Sequence, residues 1–154
     1  PLYSSAASDV YKRQEIRNTL FSYISRAHHR GASYIDVLLR EKGIKDLAYS
    51  HVRIIIILSV YKRLSMKEIS ELISKDKSTV TSLVNKLEKI GYVRKVACEN
   101  DKRIVFLELE DKAEEIVETV LQVAKLFHQK VESILTKEEI ETLFFLMEKL
   151  IKNF

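Results

Sequence analysis

The sequence predicts a mainly α-helical fold carrying one small β-hairpin, and three features of the chain predict it. Only three glycines and one proline punctuate 154 residues, which favours long helices over many short strands and turns. Apolar residues recur at three- and four-residue steps along most of the chain, the spacing of one helix face. The period falls to two in a single stretch between Tyr92 and Leu109, as expected of paired strands.

Taken in order, the first fourteen residues stand apart. Ser4–Gln14 (SSAASDVYKRQ) has no apolar periodicity and resembles translated sequencing-adaptor sequence, so residues 1–14 are set aside as a non-native or disordered tail. A helix is expected from Glu15 to about Arg40, with Ile16, Leu20, Ile24, Ala27, Ile35, Leu38 and Leu39 on one side. Gly31 is expected to bend it and Gly43 to end it. A second helix, about Ser50–Lys62, is so apolar at Ile54–Leu58 that it should be nearly buried.

A short third helix opens on Ser65 and Glu68, the spacing at which each side chain satisfies the other residue's free backbone N–H. Met66, Ile69, Leu72 and Ile73 form its buried side. Lys75–Asp76–Lys77 breaks the pattern, and Asp76 is the expected cap of a fourth helix. There Val80, Leu83, Val84, Leu87 and Ile90 make one stripe, which Gly91 closes. Strands are expected at Tyr92–Val96 and Arg103–Leu109, joined by a polar loop. Asp111–Leu135 reads as a long helix, and Thr136 with Glu139 starts a last one. That last helix carries Leu143, Phe144, Phe145, Leu146, Met147, Leu150 and Ile151, too much apolar surface to stand alone in water.

Charge is unevenly spread. Residues 75–106 hold eight basic and four acidic groups, whereas residues 107–154 hold six and eleven. The whole chain has a net charge of +4 and a pI near 9.1. A basic middle beside an acidic tail suits a protein with one face turned to a polyanion. The single cysteine, Cys98, rules out an intramolecular disulfide and suits a reducing cytoplasm. The longest apolar run, Ile54–Val60, is far too short to span a bilayer.

Two short helices joined by a tight turn, the second polar and basic outside, followed directly by a hairpin, describe a winged helix-turn-helix. The residues that carry this pattern, LSMKEISELISKDKSTVTSLVNKLEKIGYVRK at Leu64–Lys95 and then Asp101-Lys102-Arg103, closely resemble the MarR family of transcriptional regulators. The shared features are Ser65, the K-S-T-V-T opening, Leu87-Glu88-Lys89-Ile90-Gly91-Tyr92-Val93 and the wing Asp-x-Arg. Two departures stand out: Leu109-Glu110-Asp111-Lys112-Ala113 replaces the family's L-T-x-x-G, leaving Asp111 to cap the long helix, and the proline common in the wing is absent. The resemblance implies a homodimer held by its first and last helices, with each winged unit entering a major groove of a pseudo-palindromic operator. The chain then divides into the tail at 1–14, a dimerisation helix and connection at 15–49, the winged unit at 50–110 and dimerisation helices at 111–154.

A helix that reads base edges needs short polar groups near its N-terminus. Ser78, Thr79, Thr81, Ser82 and Asn85 meet that need, Asn85 by pairing with adenine; Thr79 is the weakest assignment, since it can serve the helix's own first turn. Lys77, Lys86 and Lys89 are assigned to phosphates. By resemblance Arg103 enters the minor groove, with Asp101 orienting it or pairing with Arg94, and Lys95 and Lys102 touching backbone. The function expected is therefore that of a sequence-specific regulator of double-stranded DNA, a ligand-responsive repressor acting in the cytoplasm. The alternative is a winged-helix module that binds protein instead.

No enzyme is expected, since the chain carries no G-x-S-x-G, glycine-rich phosphate loop or Cys/His catalytic signature. Neither a cofactor nor a metal is expected: His28, His29, His51 and His128 lack ligand spacing. Cys98 is expected to be an inert surface thiol. The family implies a small aromatic effector, and Tyr23, His28, Tyr34 and His51 lie in elements that could line its site.

Overall fold

The computed structural model describes residues 19–98 and 104–154, as six helices and three strands. The first helix, α1 (Leu20–Glu41), is capped by Thr19, whose hydroxyl accepts the Ser22 N–H at 3.2 Å. Its expected start at Glu15 lies outside the described residues. The expected bend at Gly31 does not occur, for α1 runs through it unbroken. A Cβ there would stand 3.4 Å from the Phe127 ring, so the glycine serves a close helix–helix approach. Gly43 does end the helix, at φ +86°. The N–H groups of Gly43 and Ile44 return to the carbonyls of Arg40 and Leu39, and only glycine takes that left-handed turn without strain.

Helix α2 (Tyr49–Tyr61) is apolar on nearly every side, and Val52, Ile54, Ile55 and Leu58 are buried. Its start is held by two side chains rather than by an N-cap residue. Asp36 Oδ1 accepts the Tyr49 N–H at 2.7 Å, and His51 Nδ1 accepts the Ala48 N–H at 3.1 Å. Arg53 is the charge within α2, and it donates to the Ile73 and Leu72 carbonyls at 3.0 Å each. It thereby satisfies the free end of α3 (Met66–Ile73) and ties α2 to it.

The reciprocal Ser65–Glu68 box forms as expected. Leu72, expected in the core, is instead 40% exposed, because the buried stripe of this short helix narrows to Ile69 and Ile73. Helix α4 (Lys77–Lys89) buries Val80, Val84 and Leu87, with Leu83 and Ile90 packed beside them. Gly91 closes it at φ +79°.

The hairpin comprises β2 (Val93–Ala97) and β3 (Val105–Leu109), paired antiparallel from Val93↔Leu109 to Ala97↔Val105. A third strand, β1 (Arg63–Ser65), pairs with the other edge of β3, so the sheet order is β1-β3-β2. Three residues are too few to show a period, and the sequence reading missed β1 for that reason. Helix α5 (Asp111–Glu132) does not use Asp111 as its cap. Glu110 holds that position without a side-chain bond, and its N–H goes back to the Tyr92 carbonyl at 3.0 Å. Asp111 lies one step inside, where its charge still favours the helix N-terminus.

One continuous core joins α1–α5 and the sheet through Leu39, Ile54, Ile55, Ile69, Val84, Leu87, Leu107 and Val120. Helix α6 (Lys137–Ile151) begins with the expected Thr136–Glu139 box but buries none of its residues. Phe144 and Phe145 are 63% and 66% exposed.

His51 is buried. Burial, and then the nearby charge of Lys86, hold its pKa below the ordinary 6.5. The folded state therefore prefers neutral imidazole, while the unfolded chain takes up the proton. The stability that follows is complete above pH 6.5 and is lost as pH falls toward the lowered folded value. Thermal midpoints measured from pH 7.5 to 5 should fall with acid in the wild type and fall less in His51→Leu. Parallel profiles would remove His51 as the cause.

Candidate nucleic-acid interface

The turn between α3 and α4 is tight because Ser74 takes a left-handed conformation, at φ +53°. Asp76 then caps α4. Its carboxylate accepts the Thr79 N–H at 2.9 Å, the Thr79 hydroxyl at 2.7 Å and the Ser78 hydroxyl. These bonds, with Ser78 the largest contributor, hold the Asp76 pKa far below the usual carboxylate range. The Thr81 hydroxyl donates to the Lys77 carbonyl at 2.7 Å. Three of the hydroxyls singled out in the sequence thus spend their protons on their own helix. Each oxygen keeps its capacity to accept.

Ser78, Ser82, Asn85, Lys77, Lys86 and Lys89 are exposed along α4, and Thr79 and Thr81 are partly so. The Ser82 hydroxyl has no partner among the described residues, and Lys77, Lys86 and Lys89 make no ion pair there. Asn85 is engaged: its Oδ1 accepts from Lys95 Nζ at 2.8 Å, and that ammonium also meets Glu88 Oε2 at 2.7 Å. The α4 side chains and Lys95 of β2 are therefore brought together on one surface. Asp101, Lys102 and Arg103 lie outside the described residues.

Arg94 is committed elsewhere. It donates twice to Glu108 Oε2, at 2.6 and 3.0 Å, and approaches Glu110. Arg63 from β1 binds the other oxygen of Glu108. Hydrogen bonds from Arg94 and then Arg63 lower the Glu108 pKa, and the carboxylate staples all three strands at the base of the wing. Arg53, Arg63, Glu88 and Glu108 were not singled out from the sequence. Arg53 had a signal, as the one charge inside an apolar helix; the others pair only once the sheet forms.

The four residues considered for an effector do not converge. His28 packs edge-on against Tyr49 at 6.1 Å and lines a cavity of about 120 Å³ with Asp36, Tyr49, Arg53 and Lys75. Tyr34 packs on Phe127, His51 caps α2, and Tyr23 is exposed beneath Arg26. Among the described residues no three His, Cys, Asp or Glu side chains gather as a metal site. None of the described helices is long and apolar enough to cross a membrane.

Capped helices, a tight turn and a three-stranded wing define a winged helix-turn-helix. Residues 47–105, the winged unit of this chain, match the model of the MarR family. Over 92 residues the chain is 32% identical to the HTH-type transcriptional regulator TtmR of Methylorubrum extorquens, covering 60% of this chain and 45% of that one. The chain spans about half the length of the curated relatives it matches. The fold is shared with the regulator BldR of Sulfolobus solfataricus, with a TM-score of 0.76, 21% identity, and coverage of 88% of this chain and 94% of that one. It is also similar to a variant of MarR from E. coli complexed with operator DNA, with a TM-score of 0.70, 25% identity, and coverage of 86% and 99%.

The Glu108 staple has a measurable consequence. In Glu108→Gln the amide protons of β2 should exchange about 2–5-fold faster, as loss of an exposed ion-pair network implies. Unchanged exchange would mean that backbone pairing alone holds the strand.

Proposed function

We propose that this chain is a sequence-specific transcriptional regulator that binds double-stranded DNA as a homodimer at a pseudo-palindromic operator. The observation that carries the reading is the exposed face of α4, where three lysines without ion-pair partners among the described residues flank short polar groups. Lysines of that kind neutralise phosphates and release counterions, while the short side chains let the helix lie close to base edges. The similarity to a MarR variant complexed with operator DNA supports DNA as the partner.

The homodimer is supported by α6. Leu143, Phe144, Phe145 and Leu146 are exposed on it, and Leu20 and Phe21 are exposed at the start of α1. A second copy would cover both sets in one symmetric contact. A small aromatic effector and repression as the regulated outcome belong to the same reading, on the resemblance to the family. Its place of action is the cytoplasm, where a lone thiol such as Cys98 stays reduced.

Selection from random duplex DNA should recover a two-fold site with half-sites about one helical turn apart. Arg103→Ala should weaken binding to that site by about 1–3 kcal/mol, and Lys89→Met should lower the salt slope by about one. Phe145→Glu should give monomers that keep the winged unit folded and lose the two-fold site. Recovery of no preferred sequence would favour a protein-binding module instead.

A further inference from the structure

A carboxamide presents an acceptor and an NH2 donor on one rigid plane, and adenine offers the matching pair in the major groove. A free asparagine is therefore a two-bond adenine reader. Asn85 is not free. The Lys95 ammonium reaches across from β2 to its Oδ1 at 2.8 Å and is itself anchored on Glu88 Oε2 at 2.7 Å. Glu88 follows Asn85 by three positions on α4, so the two side chains are neighbours on the helix surface. Carboxylate, ammonium and carboxamide form a chain of charge-assisted bonds.

An ammonium has donors only, so it fixes which end of the carboxamide faces it. The oxygen must turn toward Lys95 and the NH2 must turn away. Serine and threonine hydroxyls can rotate to suit either kind of partner, but a clamped amide cannot. Guanine shows two acceptors in the major groove, O6 and N7, whereas adenine sets a donor beside its acceptor. An outward NH2 suits the first edge, and it leaves the adenine amino group only the second lone pair of an oxygen already turned toward Lys95.

The geometry points to Lys95 as a specificity-determining residue, which holds Asn85 Oδ1 toward the wing, turns the NH2 outward and thereby biases Asn85 toward guanine over adenine. This rests on the reading of α4 as the groove-binding helix. Lys95 acts here through Asn85 rather than on phosphate, and Glu88 holds it in position. Part of the base preference of the helix is therefore set from the wing.

The test is selection from random duplex DNA at one salt concentration with wild type, Asn85→Ala, Lys95→Met and Glu88→Gln, with circular dichroism confirming that each variant is folded. The position read by Asn85 is the one whose preference flattens in Asn85→Ala. Wild type should favour guanine there by about tenfold. Lys95→Met, which keeps the apolar stem and loses the ammonium, should shift that position to adenine, and Glu88→Gln should shift it part of the way. Lys95→Met that keeps guanine and only lowers the salt slope would overturn the clamp and make Lys95 a phosphate contact. A wild-type preference for adenine, or no position altered by Asn85→Ala, would overturn it equally. No enriched two-fold site with the wild type would overturn the DNA reading itself, a failure distinct from these.

Discussion

The rest of the architecture depends on the need to bury the apolar stretch of α2 from Val52 to Leu58. A helix with Ile54, Ile55 and Leu58 almost wholly removed from water cannot lie on a surface, so α1, α3, α4, α5 and the sheet must wrap around it. Its one internal charge, Arg53, is tolerated because it reaches the open carbonyl end of α3 and stacks near Tyr49. That bond does more than rescue a polar group. It fixes the helix that precedes the turn, and through the turn it fixes the direction in which α4 projects.

Local signals made most of this legible from the sequence. Ser65 with Glu68, Asp76, Gly43, Gly91 and Thr136 with Glu139 each govern a few neighbouring residues, and each acts in the structure as the spacing implied. What escaped was non-local. β1 exists only because β3 offers it an edge, and the Glu108 staple only because three strands place Arg63, Arg94 and Glu108 together. Asp111 lies one step inside the helix, and Glu110, whose N–H is bound to the Tyr92 carbonyl beside the hairpin, takes the capping position. Gly31 looked like a break in the pattern because its packing partner, Phe127, lies almost a hundred residues further on.

The candidate interface was legible in composition and less so in detail. Its exposed residues are those the pattern pointed to, yet their bonding is richer than the pattern could show. The Ser78, Thr79 and Thr81 hydroxyls turn toward α4 itself. A helix that satisfies its own first turn in this way offers a partner a preorganised surface, because those rotamers need not be ordered again on binding.

Pairing β1 with β3 also bears on how the chain reaches this structure. Arg63 and Glu108 are 45 residues apart, and closing a loop of that length costs roughly 3 kcal/mol of chain entropy beyond a constant term. The helices between them are bounded by their own caps and can form within their own stretches of chain. A transition state that follows the cheaper closures first would therefore contain the α3–α4 turn before the strand edge is filled. The base of the wing would then be the last part of the unit to assemble and the first to open.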